Sequence, residues 1–289
     1  MLRVSEERPM HPATSALLRR VCDATKRLGT PFVIAGATAR DIVLWHVHGI
    51  RAERATRDVD VAVCAVSWAS YEMLIGELVN VEGFRQDHRA PQRLLLAHAD
   101  TGMTIPLDLV PFGDIEVPKG SIAWPPEREF VLTVLGFSEA VATASQIEIE
   151  AGLVVPVVTL PALTLLKLLA WEDRRRQENK DASDLLLILR SYLWAGNEER
   201  VWTEAADLME AYAFNDSTAS CALLGRDARN LALPSTRDKI RSLLGDERTF
   251  QTLVRDLLAR AAAVPFEEGF ADKLEADVEA FRDGFMAEP

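Results

Sequence analysis

The sequence predicts an α/β (α+β) protein with a mixed-sheet core and a helical C-terminal region. Short apolar runs of strand length alternate with amphipathic helical segments up to about residue 159. From residue 160 onward the apolar positions recur almost throughout at helical spacing. A change of this kind along a chain is typical of two differently packed layers. We therefore expect two domains, residues 1–159 and residues 160–289.

The first domain contains the strands and helices that a mixed sheet requires. Residues 11–28 carry apolar side chains three and four positions apart, which predicts a helix. Ser67 is a favoured N-cap for a second helix that runs to residue 79. Further elements are predicted as a helix over 37–48, strands over 31–35, 59–64, 93–99 and 103–111, and a hairpin over 144–158.

The second domain is predicted to consist of helices. A strongly apolar helix begins at Leu160, and acidic amphipathic helices follow it. These are predicted over residues 197–212, 218–230, 235–245, 248–264 and 270–285.

The charge of the chain is negative and unevenly spread. The net charge is −12, with 14 Lys and Arg against 15 Asp and Glu in residues 1–120 and 18 against 29 in the remainder. An acidic protein has no general electrostatic attraction to nucleic acid, so RNA would have to bind a local patch near the first half. The charge therefore favours small substrates and leaves tRNA open.

Cysteine usage and the start of the chain both favour a cytoplasmic protein. Cys22, Cys64 and Cys221 lie far apart without a CxxC pair, so they indicate neither a disulfide framework nor a zinc site. The first residues lack the apolar core of a signal peptide. No apolar run reaches the roughly 20 residues that span a bilayer, and we expect no membrane partner.

Two carboxylates lie two residues apart at the start of an apolar strand. Side chains on a strand alternate between its faces, so Asp58 and Asp60 emerge on one side while Val59 and Val61 point to the other. Paired carboxylates repel each other unless a cation lies between them, and oxygen ligands of this kind suit Mg²⁺ or Mn²⁺. The alternative is a chance Asp pair at an exposed strand edge, but the buried flanking valines favour the metal.

A glycine turn precedes the Asp pair by one helix. Gly36 follows the strand over 31–35 and begins the next helix, and free backbone N–H groups at a helix start bind phosphate. The alternative is a strand-to-helix turn that needs a small residue whatever binds there. Together with Asp58 and Asp60, the turn indicates a phosphate site beside a magnesium site, and hence nucleotidyl transfer.

Asp108 interrupts an otherwise apolar strand. It is either a strand-end residue that faces solvent or a third carboxylate that faces the metal. In a two-metal displacement, a third carboxylate ligates the second ion and accepts the proton of the attacking hydroxyl. We interpret Asp108 as this third carboxylate.

Lys167 is the one charge in the first two turns of an apolar helix. A buried lysine needs an anionic partner, which a nucleoside triphosphate would supply. The alternative is a stem that covers the core while the ammonium reaches water. Asp181 and Asp184 open the following helix, where Asp181 also suits the positive end of the helix dipole.

Two stretches of the chain resemble a known family. Gly36-Ala-Thr-Ala-Arg-Asp followed by Arg57-Asp-Val-Asp-Val resembles the signature of the nucleotidyltransferase superfamily. Lys167-Leu-Leu-Ala-Trp followed by Lys180-Asp-Ala-Ser-Asp-Leu is similar to the AbiEii/AbiGii group, the toxin-like nucleotidyltransferases of bacterial type IV toxin–antitoxin and abortive-infection systems. Leu223-Leu-Gly-Arg-Asp is also similar to members of this group, and the resemblance covers most of residues 30–230.

The resemblance implies a role for each matched residue. The nucleotide loop would be Gly36, Ala37 and Thr38. The metal ligands and catalytic carboxylates would be Asp58, Asp60 and Asp108. In the second domain, the residues that face the nucleotide would be Lys167, Asp181 and Asp184. Ala37 departs from the Gly or Ser that is usual after the first glycine. Thr38 would then replace the missing hydroxyl, and a backbone N–H is unaffected by the change.

We therefore predict a metal-dependent nucleotidyltransferase with a nucleotidyltransferase-like sheet, an NTP substrate and Mg²⁺ or Mn²⁺. The resemblance implies tRNA as one acceptor and a cognate antitoxin as a partner. One alternative is a small-molecule adenylyltransferase that modifies an aminoglycoside-like acceptor. A further alternative, from a different class, is a catalytically idle protein of the same fold that only binds nucleotide, which the substitution at Ala37 leaves open.

Overall fold

The chain is made of two units, Met1–Thr159 and Leu160–Pro289. The structure is a computed structural model that describes residues 1–52, 58–177, 180–261 and 269–288. Within these ranges, none of the helices has the length and apolar character needed to cross a membrane.

The first unit is built on a mixed sheet of eight strands. The strands of this unit are β1 (Leu2–Arg3), β2 (Phe32–Ala35), β3 (Val59–Ala65), β4 (Arg85–Gln86), β5 (Arg93–Ala97), β6 (Thr104–Gly113), β7 (Ser121–Ala123), β8 (Val131–Thr133), β9 (Ser145–Glu150) and β10 (Leu153–Val157). The sheet follows the order β1-β9-β10-β2-β3-β6-β5-β4, and β7 pairs with β8 separately. The predicted mixed sheet and the hairpin over 144–158 are confirmed.

Four predicted strands lie side by side at the centre of this sheet. β3 runs antiparallel to β2 and parallel to β6, and β5 runs antiparallel to β6. On β6, Ile105, Leu107 and Leu109 are buried while Asp108 lies on the more open face between them. The alternation expected for a strand with one face on the core is therefore present.

One line of paired residues crosses these four strands. Ala35 of β2 faces Asp60 of β3, Asp60 faces Asp108 of β6, and Asp108 faces Arg93 of β5. Neighbouring strands in a sheet are about 4.8 Å apart. The register therefore brings two carboxylates and a guanidinium into one row beside the end of β2.

Helices pack against this sheet, three of them at predicted positions and the fourth, over 137–142, not predicted from the sequence. They are α1 (Pro12–Leu28), α2 (Gly36–Asp41), α3 (Trp68–Asn80) and α4 (Phe137–Ala142). The predicted cap of α3 is confirmed, because the Ser70 N–H donates to the Ser67 hydroxyl at 3.1 Å and the Ser67 N–H donates to the Ser70 hydroxyl at 3.1 Å. The helix predicted over 37–48 is α-helical to Asp41 and continues as a π-helix over Ile42–Val47.

The second unit consists of helices within the part of the chain that the structure describes. They are α5 (Leu160–Arg174), α6 (Lys180–Ser191), α7 (Glu198–Thr203), α8 (Ala206–Ala211), α9 (Asp216–Leu231), α10 (Pro234–Gly245), α11 (Glu247–Ala261) and α12 (Phe270–Met286), with a π-helical turn over Leu193–Asn197. The predicted helices are confirmed in place, and α7 and α8 together replace the one helix predicted over 197–212. Residues 262–264 of the helix predicted over 248–264 lie outside the described residues.

Helices α9 and α12 approach each other most closely at two glycines. A Cβ atom on Gly225 would lie 2.1 Å from the carbonyl oxygen of Phe281, and a Cβ atom on Gly284 would lie 2.0 Å from the carbonyl oxygen of Ala222. Nearby, the buried Thr218 hydroxyl donates to the Asp277 carboxylate at 2.8 Å. The helices therefore pack backbone against backbone, which a side chain at either glycine would prevent.

Candidate active site

The turn between β2 and α2 is shaped around Asp60. Gly36 has a φ of +61°, in the left-handed region that favours glycine. A Cβ atom at this position would lie 1.9 Å from Oδ2 of Asp60. Glycine is therefore required both by the backbone angle and by the carboxylate that lies against it. The predicted neighbourhood of Gly36 and Asp60 is present in the structure.

The hydroxyl of Thr38 is used inside the protein. Thr38 is buried, and its Oγ1 donates to the carbonyl oxygen of Asp58 at 2.9 Å. A hydroxyl has one proton to donate, so this bond commits the Thr38 proton to a partner within the protein. Thr38 instead fixes Asp58, the residue immediately before β3, against α2.

The residues after Thr38 in α2 pair with each other. The guanidinium of Arg40 donates to Oδ1 of Asp41 from Nε at 2.8 Å and from Nη2 at 2.6 Å. The Arg40 side chain is 4% exposed, so its charge lies on the buried face of α2.

Asp58, Asp60 and Asp108 are hereafter called the carboxylate trio. Asp60 and Asp108 lie on the neighbouring strands β3 and β6, and Asp58 directly precedes β3. Asp60 faces Asp108 directly across the β3–β6 ladder, and Asp58 comes two residues before Asp60. The Asp58 side chain is 42% exposed, whereas that of Asp108 is 14% exposed. The predicted third carboxylate is thus adjacent to the predicted pair and mostly shielded from solvent.

A guanidinium that the sequence interpretation missed binds two members of the trio. Arg93 donates from Nε to Oδ1 of Asp108 at 2.7 Å and from Nη2 to Oδ2 of Asp108 at 2.7 Å. Its Nη2 also lies 3.6 Å from Oδ2 of Asp58. The hydrogen bond with Asp108 is the main cause that raises the pKa of Arg93 above its ordinary value, so the guanidinium stays charged.

The donor chemistry of the trio fits a hard divalent cation. Carboxylate oxygens are the ligands that Mg²⁺ takes from proteins, usually one or two of them together with substrate phosphates. As the side chains stand, no three His, Cys, Asp or Glu in the described ranges converge as a metal-ligand cluster, and Arg93 lies between Asp58 and Asp108. Asp58 and Asp60 are the residues that would hold the ion.

The second unit contains an ion-pair network in which three side chains are buried and that of Arg174 is 42% exposed. Its members, hereafter the Lys167 group, are Lys167, Arg174, Asp181 and Asp184. Nζ of Lys167 lies 3.1 Å from Oδ1 of Asp181 and also contacts Asp184. Arg174 donates from Nε to Oδ2 of Asp181 at 2.7 Å. The side chains of Lys167 and Asp181 are 8% and 0% exposed. The structure therefore brings together Lys167, Asp181 and Asp184, which the sequence interpretation had grouped, and adds Arg174 to them.

Lys167 has anionic partners within the protein, whereas the sequence predicted that a phosphate would be its partner. Burial by itself would raise the pKa of Asp181, but the hydrogen bond from Arg174 and the charge of Lys167 lower that pKa below its ordinary value. Asp181 is thus held ionised and supplies the anionic partner that a buried lysine needs. The ammonium is bound by carboxylates of its own unit, so the phosphate-facing role stays a prediction.

The chain belongs to a family of nucleotidyltransferases. The family is that of the nucleotidyl transferase AbiEii toxin of type IV toxin–antitoxin systems, whose model matches residues 17–275. The matched range includes Gly36, the carboxylate trio and the Lys167 group. The resemblance drawn from the sequence motifs is therefore confirmed. No curated protein sequence matches the chain.

Several solved structures are similar to this one. A nucleotidyltransferase-like antigenic protein of Paracoccidioides brasiliensis aligns with a TM-score of 0.44 and 13% identity over 73% of this chain and 94% of that chain. JHP933 of Helicobacter pylori aligns with a TM-score of 0.41 and 15% identity over 98% and 94%. The antibiotic-resistance factor ANT(2'')-Ia aligns with a TM-score of 0.37 and 17% identity over 71% and 95%. At these values the likeness carries no argument about activity.

Proposed function

We propose that this protein is a metal-dependent nucleotidyltransferase that moves a nucleotidyl group from a nucleoside triphosphate to an acceptor hydroxyl. The observation that carries the proposal is the placement of Asp60 between the Gly36 turn and Asp108. Membership of the AbiEii family supports nucleotidyl transfer in general. The proposal includes a divalent metal ion, a nucleoside triphosphate as the donor and a hydroxyl group as the acceptor.

The glycine turn would bind the phosphates of the nucleotide. Backbone N–H groups at Gly36 and Ala37 begin α2, where they can donate to phosphate oxygens. Replacement of the usual Gly or Ser by Ala37 leaves these backbone donors unchanged. Thr38 supports the site indirectly, because its hydroxyl holds the backbone of Asp58 in place.

The carboxylate trio would supply the ligands and the base. Asp58 and Asp60 would hold Mg²⁺ or Mn²⁺, which neutralises phosphate charge when bound. Asp108 would accept the proton of the acceptor hydroxyl as its oxygen bonds to the α-phosphorus and the bond to pyrophosphate breaks. Positioning and charge neutralisation would account for most of the rate enhancement.

The first acceptor to test is tRNA. The family is that of a nucleotidyl transferase toxin, and tRNA, an abundant molecule of the cell, offers ribose hydroxyls as acceptors. An aminoglycoside-like small molecule is the alternative acceptor, and the net charge of −12 favours it because RNA gains no general attraction to this surface. The toxin family also supports a cognate antitoxin as a partner.

Labelled nucleoside triphosphates test the proposal. The full chain is incubated with each labelled NTP and either total tRNA or a panel of aminoglycosides, and labelled product and pyrophosphate are measured. Asp108→Asn should keep nucleotide binding and lose turnover, because the proton acceptor is gone. Asp114→Asn is the matched control, since Asp114 is an exposed carboxylate just beyond the other end of β6.

Metal binding is tested separately by thermal unfolding. Mg²⁺ or Mn²⁺ should raise the unfolding midpoint of the wild type, and the double variant Asp58→Asn with Asp60→Asn should lose that rise. Equal metal stabilisation in both proteins would contradict the metal assignment. If nucleotide binds but none of the acceptors is labelled, the idle nucleotide-binding protein becomes the better account.

A further inference from the structure

Arg93 lies where a cation is needed by the carboxylate trio. It faces Asp108 across the β5–β6 ladder, binds both oxygens of that carboxylate, and reaches Asp58 with the same Nη2 atom. We infer that Arg93 is the positioning residue of this site: it orients Asp108 and competes with a divalent cation for the trio. The inference rests on the proposed function, since it concerns the same carboxylates.

The backbone of Arg93 is fixed, and its side chain is not enclosed. The Arg93 N–H donates to the carbonyl of Ala90 at 2.9 Å, and the N–H of Asp87 donates to the carbonyl of Arg93 at 2.9 Å. The Arg93 side chain is 31% exposed, whereas that of Asp108 is 14% exposed. The guanidinium can therefore shift toward solvent while its strand stays in place.

The two contacts of Arg93 differ in strength. The pair with Asp108 is a fork of two parallel N–H···O bonds, which fixes the plane of the carboxylate as well as its position. The contact with Asp58 is a single approach at 3.6 Å. A cation held by Asp58 and Asp60 would compete with the weaker contact to Asp58, while the fork would continue to hold Asp108.

Charge gives the expected direction of the effect. The trio carries three negative charges, and one guanidinium compensates only part of them. A guanidinium that contacts Asp58 and Asp108 would repel a divalent ion held by Asp58 and Asp60, so Arg93 weakens metal binding while it stabilises the metal-free site. Removing Arg93 should therefore strengthen metal binding, whereas removing a residue that only supports the fold would weaken it.

Mn²⁺ binding to the full-length protein, followed by electron paramagnetic resonance, tests the inference. Arg93→Gln should lower the Mn²⁺ dissociation constant by about tenfold or more and lower the unfolding midpoint without metal. Arg93→Lys keeps the charge and loses the fork. It should leave Mn²⁺ affinity within about threefold of wild type and lower kcat by about tenfold or more.

Arg85→Gln is the matched control, because Arg85 is an exposed arginine on the neighbouring strand β4. It should leave Mn²⁺ affinity unchanged. If Arg93→Gln binds Mn²⁺ as wild type does, or more weakly, the inference is wrong while metal binding by Asp58 and Asp60 stands. If neither wild type nor Arg93→Gln binds Mn²⁺, the proposed metal dependence fails as well. If Arg93→Gln does not fold, an Arg93→Lys variant with wild-type kcat overturns the inference.

Discussion

At the scale of single residues, the site depends on the absence of a side chain at Gly36. The left-handed φ of +61° accounts for part of the requirement for glycine, and Oδ2 of Asp60 at 1.9 Å from the position of a Cβ atom accounts for the rest. The turn and the carboxylate are therefore one structural unit. A substitution at Gly36 must move Asp60, although the two residues are 24 positions apart in the sequence.

Gly36→Ala should destabilise the protein more than an ordinary left-handed glycine would when replaced. Gly29→Ala is the matched control, since Gly29 has a φ of +62° and nothing within 4 Å of its Cβ position. The backbone angle should cost each variant about 1–2 kcal/mol. The collision with Asp60 should add about 2 kcal/mol to Gly36→Ala alone. Urea unfolding of both variants measures the difference, and equal losses would show that Asp60 moves aside freely.

The trio could be predicted from sequence, but its arginine could not be predicted as easily. Asp58 and Asp60 share a strand face by simple alternation, and Asp108 is conspicuous as a charge within an apolar run. The role of Arg93 depends on register across a hairpin. Counting outward from residues 100–102, which separate the two predicted strands, would have placed Leu94 opposite Asp108. The observed register differs by one residue and pairs Arg93 with Asp108, and a shift of one residue reverses the face on which a side chain lies.

At the scale of elements, the Lys167 group joins α5 to α6. Each charge in it is compensated by an opposite charge in the same network, and most of the network is shielded from water. Breaking such a network leaves buried charges without compensation, which costs far more than the network contributes as a whole. The Lys167 group is therefore expected to hold α5 and α6 together whether or not it also binds a ligand.

Lys167→Ala should lower the free energy of unfolding by about 3–5 kcal/mol, because Asp181 and Asp184 lose the ammonium between them. Lys239→Ala is the matched control, since Lys239 pairs with Glu172 at 2.7 Å and is 45% exposed. That variant should lose less than about 1 kcal/mol. Denaturant unfolding of the two variants is the measurement. Similar losses would mean that Lys167 reaches water.

The contact between α9 and α12 depends on two glycines that allow the helix backbones to meet. Gly225→Ala should destabilise the second unit by about 2–3 kcal/mol, because its Cβ atom meets the Phe281 carbonyl at 2.1 Å and the helices must separate. Gly245→Ala, at the end of α10, meets only Cε of Met286 at 3.6 Å and should change stability by less than about 0.5 kcal/mol. Thermal unfolding compares the two, and a neutral Gly225→Ala would contradict the close packing.

Long elements were predictable, whereas short ones were not. Helices such as α1 and α11 show their period over four or more turns, and the central strands show apolar runs bounded by turn residues. Strands β1, β4, β7 and β8 have only two or three residues, which is too few to show a period. The π-helical continuation of α2 was also missed, because one extra residue in a turn does not disturb an amphipathic pattern.

At the scale of the whole molecule, the first unit contains all the strand partners of the sheet and the whole trio. Residues 1–159 expressed alone should therefore fold cooperatively and bind Mn²⁺, and the same fragment with Asp58→Asn and Asp60→Asn should fold without binding it. Circular dichroism and Mn²⁺ titration are the measurements. A fragment without cooperative unfolding would show that the two predicted domains are not independent.

The approach of α9 and α12 also determines when the second unit can be completed during synthesis. Helix α9 ends at Leu231, and α12 begins only at Phe270, so the ribosome makes α9 well before it makes the helix that packs against it. At translation rates of about 5–20 residues per second, the interval is on the order of several seconds. Until α12 is made, the face of α9 around Gly225 lacks the helix that packs against it, and a nascent chain stalled in this interval is expected to bind chaperones or to aggregate.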